Sequence, residues 1–313
     1  MNIIKKIKRL DYYKIAVYAV LILISYQFLY PLLRMFSLIL MSEEDIINPA
    51  VNWIPGSLTF GNLHTALRVM DLRVTMWNSI WFSGVLAIGQ TFVSAATGYA
   101  LARYDFPFKR FWFAMIIITF ILPTPVLLIP RTMMVLSAQD ALSFSLIGSI
   151  WPQVSMAAFG QGVFSAILIL IFYNFTMIIP PALDEAAEID GAGPIQVFYH
   201  IILKLSVQTI LVVFLFSFVW NWNETYVTST FLRQGLTLVP ARLEAFEGLF
   251  SQFAERSGLV HGPGAEMSPE VARINEAFRM AGTLLAILPL MALYLAVQKH
   301  FIKGIENTGL TGI

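Results

Sequence analysis

Apolar positions in this chain gather into long uninterrupted runs rather than the short periodic faces of soluble helices and strands. Charge-free stretches fall at 15–33, 74–102, 111–130, 141–183, 205–223 and 280–298. The shortest of them holds 19 residues. A helix of about 20 apolar residues crosses a bilayer, so each run is long enough to span. The pattern predicts an all-α polytopic membrane protein with six transmembrane helices.

The run at 141–183 is long enough for two short helices, but it contains Gly148, Pro152, Gly160 and Gly162 before an unbroken apolar stretch from Val163 to Ile179. One helix is expected at about 158–178, with a partial helix at 143–156 near the outer surface. The third run ends in Ile121-Leu122-Pro123-Thr124-Pro125 and then Pro130. Proline in a membrane helix frees carbonyls and bends it. These prolines read either as a hinge beside a translocation path or as an outer helix end where proline costs little.

The polar segments set the orientation. Of 20 Lys and Arg residues, 11 fall in 1–14, 103–110, 184–204 and 299–313, and these short segments hold every lysine. The alternate segments 34–73, 131–140 and 224–279 hold nine, all arginine. Basic residues collect on the cytoplasmic side, so both termini are expected in the cytoplasm. The resulting layout is an amino terminus at 1–14, a first helix at 15–33, an external loop at 34–72, a membrane domain at 73–298 and a tail at 299–313. Residues 224–279 read as an external loop. The basic start followed by an apolar run resembles a signal peptide, but bulky Tyr26, Phe28 and Tyr30 and the lack of a small-residue cleavage site favour a retained helix.

Composition narrows the chemistry. Residues are 58% hydrophobic and 12% charged, with a net charge of +1, so nothing points to nucleic acid as a partner. The chain has no cysteine, which excludes disulfides, thiolate metal sites and cysteine nucleophiles. His64, His200, His261 and His300 lie far apart without zinc-ligand spacing, and no Gly-Lys dipeptide offers a phosphate loop. No catalytic residue, metal site or cofactor of its own is expected. A spanning set of runs without charge also argues against a proton- or sodium-driven carrier acting alone.

The informative stretch is Pro180 to Lys204, PPALDEAAEIDGAGPIQVFYHIILK. Pro181 suits a first helical turn, and Asp184 and Glu185 sit at the positive end of the helix dipole. Gly191 suits the left-handed residue that ends a helix, and Gly193-Pro194 starts another. In the second helix Ile195, Phe198, Ile201, Ile202 and Leu205 recur at helical spacing. A helix, a glycine turn and a second helix are therefore expected between the fourth and fifth spans. Asp184, Glu185, Glu188 and Asp190 make this loop acidic, which favours a basic protein partner over the anionic inner leaflet.

This stretch resembles the EAA loop of permease subunits in ATP-binding-cassette importers. The pattern falls on Glu185-Ala186-Ala187, Gly191, Ile201 and Leu203, with Asp190-Gly191-Ala192 matching a common Asp-Gly-Ala. Lys204 stands where the pattern has proline, which predicts a less sharply bent exit. Asn78-Ser79, Tyr99-Ala100-Leu101-Ala102-Arg103, Trp222-Asn223-Glu224, Leu288-Pro289 and Gln298-Lys299-His300-Phe301 are similar to the carbohydrate-uptake branch, and the tail to the second, maltose-type permease. The resemblance implies a type I importer permease fold in a bacterial or archaeal cell membrane. It implies a second homologous permease, an ATPase dimer that binds the ATP and Mg, and an extracytoplasmic solute-binding protein as partners, besides the lipid bilayer. The ATPase-coupling residues would be Asp184, Glu185, Ala186, Ala187, Asp190, Gly191, Ala192, Ile201 and Leu203 in the loop 182–204.

The expected cargo is a sugar or oligosaccharide; a polyol or glycerol phosphate ester is the alternative, because the loop reads the motor and not the cargo. Asn221, Trp222, Asn223 and Glu224, with Ser217 and Gln153, are the candidate substrate path, since sugars are bound by hydrogen bonds and aromatic stacking. The competing reading makes Trp222 an interface anchor and the asparagines bonds between helices.

Overall fold

The computed structural model describes residues 12–233, 235–258 and 268–309. Most of the expected amino terminus at 1–14, part of the expected external loop 224–279 and the end of the expected tail 299–313 lie outside them. In chain order the helices are α1 (Tyr12–Leu40), α2 (Glu43–Ile47), α3 (Gly61–Val69), α4 (Leu72–Arg103) and α5 (Lys109–Ile121). Then come α6 (Thr124–Leu142), α7 (Trp151–Ala158), α8 (Ser165–Ile178), α9 (Ala182–Ile189) and α10 (Pro194–Leu205), the last with a π turn at Phe198–Ile202. Finally α11 (Val207–Asn223), α12 (Tyr226–Phe231), α13 (Val239–Glu244), α14 (Phe246–Arg256) and α15 (Pro269–Gly309) complete the described chain.

Among the described residues, three single helices, α1, α4 and α15, are long and apolar enough to cross a membrane. Three bent pairs, α5 with α6, α8 with α9 and α10 with α11, bring the number to as many as six if each pair counts as one span. The helices continue beyond the charge-free runs. The first span reaches from Tyr12 to Leu40 rather than 15–33, and α15 begins at Pro269 and includes 299–309 of the expected tail. The expected loop 34–72 carries the end of α1 with α2 and α3, and 224–279 carries α12, α13, α14 and the start of α15. A helix satisfies its own backbone hydrogen bonds in water as well as in lipid, so charge marks where lipid ends and not where the helix ends.

Contacts divide the chain into two units, Met1–Asp71 with Ala245–Leu285, and Leu72–Glu244 with Ala286–Ile313. In the first, Asn62 is buried and its Nδ2 donates to the carbonyls of Ile39 and Met41 at 2.9 and 2.8 Å, closing the end of α1. Such an end otherwise leaves carbonyls unpaired. Met35, Ile39, Ala66 and Ala281 form the core beside it. Asp45 accepts the amides of Gly56 and Ser57, which fixes the turn between α2 and α3.

The second unit is built on α4, with α8, α11 and α7 packed along it. Gly98 permits the crossing of α4 and α8: a Cβ there would lie 2.7 Å from Phe172 Cβ and from the Tyr173 backbone nitrogen. Small residues let membrane helices approach closely. A second core of Ala95, Tyr99, Leu168, Phe172, Val197, Phe198, Ile202 and Val213 ties α4 and α8 to α10 and α11.

Two expectations about this unit change. Residues 131–140 are helical rather than a loop, because α5 stops at Ile121 and α6 starts at Thr124 after a 113° bend. Pro123 caps α6 at its amino end and Pro125 sits in its first turn, where a missing N–H costs nothing. The single helix expected at 158–178 is broken: α7 covers 151–158, rather than 143–156, and α8 begins at Ser165. Gly160 and Phe164 both have positive φ, +68° and +51°, which helical backbone excludes.

Candidate functional site

Helix α9 starts after Pro181, with Asp184 and Glu185 in its first turn. At its other end Gly191 has φ +87°. The Gly191 amide donates to Glu188 at 3.0 Å and the Ala192 amide to Ala187 at 2.9 Å. That is a Schellman closure, which satisfies the orphaned carbonyls of α9. The chain turns at once into α10, where Gln196 Oε1 accepts the Gly193 amide at 2.9 Å and secures the new helix start.

The side chains of this knob sort into two sets. Asp184 is turned inward, with Oδ2 2.6 Å from Nε of Arg103 in a close ion pair that lacks hydrogen-bond alignment. Arg103 Nη2 also donates to the Ile179 carbonyl at 2.6 Å, so one guanidinium joins the ends of α4 and α8 to α9. Ala187, Ala192, Ile201 and Leu203 pack against the second core. Glu185, Ala186, Asp190 and Gly191 are exposed. With Glu185 stand the apolar side chains of Leu183, Ile189 and Ile195, the latter two 87% and 73% exposed.

The expected apolar face of α10 is therefore corrected. Val197, Phe198 and Ile202 are buried, while Ile195 and Leu205 are exposed. The π turn at Phe198–Ile202 inserts an extra residue into the helical period and rotates the face. The exit from α10 is also sharper than Lys204 predicts, because α10 and α11 meet at 82° without a proline. Buried Ser206 makes the bend: its Oγ donates to the Ile202 carbonyl at 2.6 Å, a back-bond that bends helices.

Deeper along α4, Gln90 is fully buried and fully paired. Its Nε2 donates to Val163 O at 3.0 Å and Ser165 Oγ at 2.8 Å. Its Oε1 accepts from Ser217 Oγ and Asn221 Nδ2, each at 2.6 Å. Gly162 makes room for it, since a Cβ there would lie 2.2 Å from Gln90 Nε2. Two of the candidate substrate residues, Ser217 and Asn221, are thus spent on joining helices.

The other four scatter. Trp222 is buried and stacks on Phe218 at 5.9 Å rather than anchoring an interface. Asn223 is exposed and bonds Val219 O on its own helix. Glu224 Oε1 accepts the Val227 amide at 2.7 Å and caps α12. Gln153 Nε2 donates to Thr228 Oγ1 at 3.0 Å, while its buried Oε1 has no hydrogen-bond partner among the described residues. Sequence reasoning missed Gln90, although an amide within an apolar run was the available signal: in lipid it must find a partner. It also missed that Arg103, quoted only as the end of a motif, is the counter-ion of Asp184.

Up to six spans, with an anchored, partly acidic helix-turn-helix knob in the second unit, are the architecture of a membrane permease. The comparisons give the family. Residues 94–307 match the binding-protein-dependent transport system inner membrane component family, and the chain belongs to it. It is the membrane-spanning permease component of an ABC importer, a multi-pass protein of the cell membrane.

Among relatives, the sn-glycerol-3-phosphate transport system permease protein UgpE of Pectobacterium atrosepticum is 28% identical over 287 residues, covering 90% of this chain and 91% of the relative. The protein of the same name from Salmonella typhi is 25% identical over 286 residues, covering 90% and 91%. The fold is shared with a chain from the crystal structure of a bacterial ABC transporter involved in the import of the acidic polysaccharide alginate, at TM-score 0.73 and 20% identity over 94% of this chain and 98% of that one.

Proposed function

We propose that this chain forms one half of a two-permease pathway for a sugar or polyol, phosphate esters and acidic sugars included. In this reading a solute-binding protein delivers the solute from outside, and a separate ATPase pair binds ATP and Mg, this chain holding no nucleotide site of its own. Both termini and the α9–α10 knob face the cytoplasm, as the lysine distribution favours. The names of the relatives support a glycerol phosphate ester as cargo, and the family resemblance in sequence supports a carbohydrate.

The observation that carries the reading is the anchored knob. Glu185 and the exposed Leu183, Ile189 and Ile195 offer a charge-assisted contact framed by apolar surface. Asp184, Ala187 and Ala192 hold the same helices to the bundle. A partner gripping the outer face thereby moves the ends of α4 and α8 with it. Asp190 and Gly191 set the angle between the two helices, and Ile201 and Leu203 continue the anchor into α11.

Co-purification with the candidate ATPase and second permease tests this. Wild type retains the ATPase, and a Glu185→Lys, Gly191→Asp double variant loses it while remaining inserted. Well-folded wild type that binds no ATPase would overturn the reading and favour a stand-alone carrier.

A further inference from the structure

The break between α7 and α8 carries two residues at positive φ, Gly160 and Phe164. Irregular backbone at membrane depth persists only where protein buries it or where it lines a water-filled cavity. Here Gly160, Gln161, Gly162 and Val163 line a cavity of about 70 Å³, together with Arg131 and Glu224. The same Arg131 and Gln161 border an open, largely apolar groove of about 820 Å³ between α6 and α7, lined by exposed Met134, Trp151 and Phe159. They also border a third space that reaches Asn221 and Gln153. One cation and one amide therefore stand where two cavities and the groove meet.

Arg131 is half-buried on α6, and Gln161, which it bonds, is exposed. Arg131 shares the third space with Gly162 and Val163, the residues against which Gln90 packs. Gln90 stands 13 residues before Arg103 on α4, or about 20 Å along the helix axis. An ionisable side chain carried on a spanning segment marks a solute or ion path by default. Arg131 makes one hydrogen bond among the described residues, Nη2 to Gln161 Oε1 at 3.3 Å, and no described carboxylate lies within 4.0 Å of it. A guanidinium carries five donors in a planar fork, so most of the fork faces the cavities. Glu224, which lines the 70 Å³ cavity with Arg131, is engaged by the Val227 amide and borders neither of the other two spaces.

We propose that Arg131 recognises an acidic group on the passing solute, a phosphate monoester or a carboxylate, with Gln161 holding the guanidinium in place. This rests on the importer reading above and names the chemistry its pathway selects. The planar fork suits two-point binding of either oxyanion, which a lysine at the same place would not reproduce.

The test is equilibrium binding of three radiolabelled probes to the purified permease–ATPase complex in detergent: sn-glycerol-3-phosphate, glucuronate and glucose. Wild type is expected to bind at least one of the two acids. Arg131→Gln should weaken that binding at least tenfold, Arg131→Lys should weaken it less, and glucose binding should be unchanged by either. The phosphate and carboxylate arms identify which acid is selected. Equal acid binding by wild type and Arg131→Gln, or no binding of either acid by wild type, overturns the proposal. ATPase retained in the same preparations separates this failure from failure of the importer reading, in which no ATPase would be present.

Discussion

Arg103, the last residue of α4, holds Asp184 in the first turn of α9 with 2.6 Å between Nε and Oδ2. Both side chains are nearly buried, at 10% and 12% exposure. Removing one partner of a buried pair strands the other charge, at a cost of about 3 kcal/mol or more. Arg103→Ala is therefore expected to loosen α9 from the bundle and uncouple ATP hydrolysis from uptake, with ATPase still bound through the outer face of the knob. A charge swap, Arg103→Asp with Asp184→Arg, should recover part of the coupling. Parallel assays of ATPase rate and uptake in proteoliposomes check this; normal coupling in Arg103→Ala would contradict the anchoring role.

Gly191 separates backbone strain from crowding. Its φ is +87°, yet an added Cβ would meet nothing within 4 Å. The cost of Gly191→Ala is then conformational alone, about 1–2 kcal/mol, and Gly191→Asn should cost less because asparagine tolerates the left-handed region. Thermal unfolding of the purified variants should rank glycine, asparagine, alanine. Equal stability of all three would remove the strain argument.

Gln90 joins α4 to α8 and α11 through four hydrogen bonds. Interhelical bonds in membranes average about 0.6 kcal/mol each, so Gln90→Leu should cost about 2 kcal/mol. The cost should shrink in an Asn221→Leu, Ser217→Ala background, where two partners are already gone. A double-mutant cycle on detergent unfolding measures the coupling, and strict additivity would show that the hub does not act as a unit.

Asp45 gives a pH dependence outside the membrane spans. The Ser57 amide foremost holds its carboxyl below the usual aspartate range against the opposing effect of desolvation, helped by the Gly56 amide and the Ser42 hydroxyl and amide. A depressed folded pKa means that its contribution is complete above the unfolded value of about 4 and fades as pH falls through the lower folded value. Protease cleavage within 48–60 should rise below pH 4 in wild type and be raised already at pH 7 in Asp45→Asn. A cleavage profile that is flat with pH in both would remove Asp45 from the account of this turn.

How much of this was legible in the sequence follows from what each signal measures. Charge-free runs report lipid, because a charge in hydrocarbon is expensive, and six spans could be read from them. They do not report helix ends, so α1 and α15 overran their runs. The turn at Gly191 was legible because glycine has a backbone reason to be there. The face of α10 was not, because a π turn has no signature in apolar spacing. The Arg103–Asp184 pair joins residues 81 positions apart, and spacing within one helix says nothing about such a pair. Gln90 was a lone amide in an apolar run, visible as an anomaly but silent about its partners. Arg131 was set outside the third span because its charge ends the run, yet it lies within α6, which brings the cation back to the Gly160–Phe164 break.

The central claim is that the outer face of α9 is the docking element of this permease. The chain has no cysteine, so a single introduced thiol reports one position. The most direct measurement is site-specific crosslinking of Ile189→Cys to the ATPase in the assembled complex, with Ile54→Cys, in the first unit and 84% exposed, as the control. The account predicts an ATPase adduct from position 189 and none from position 54. An adduct from position 54 alone, or from neither position in a complex that contains the ATPase, would contradict it.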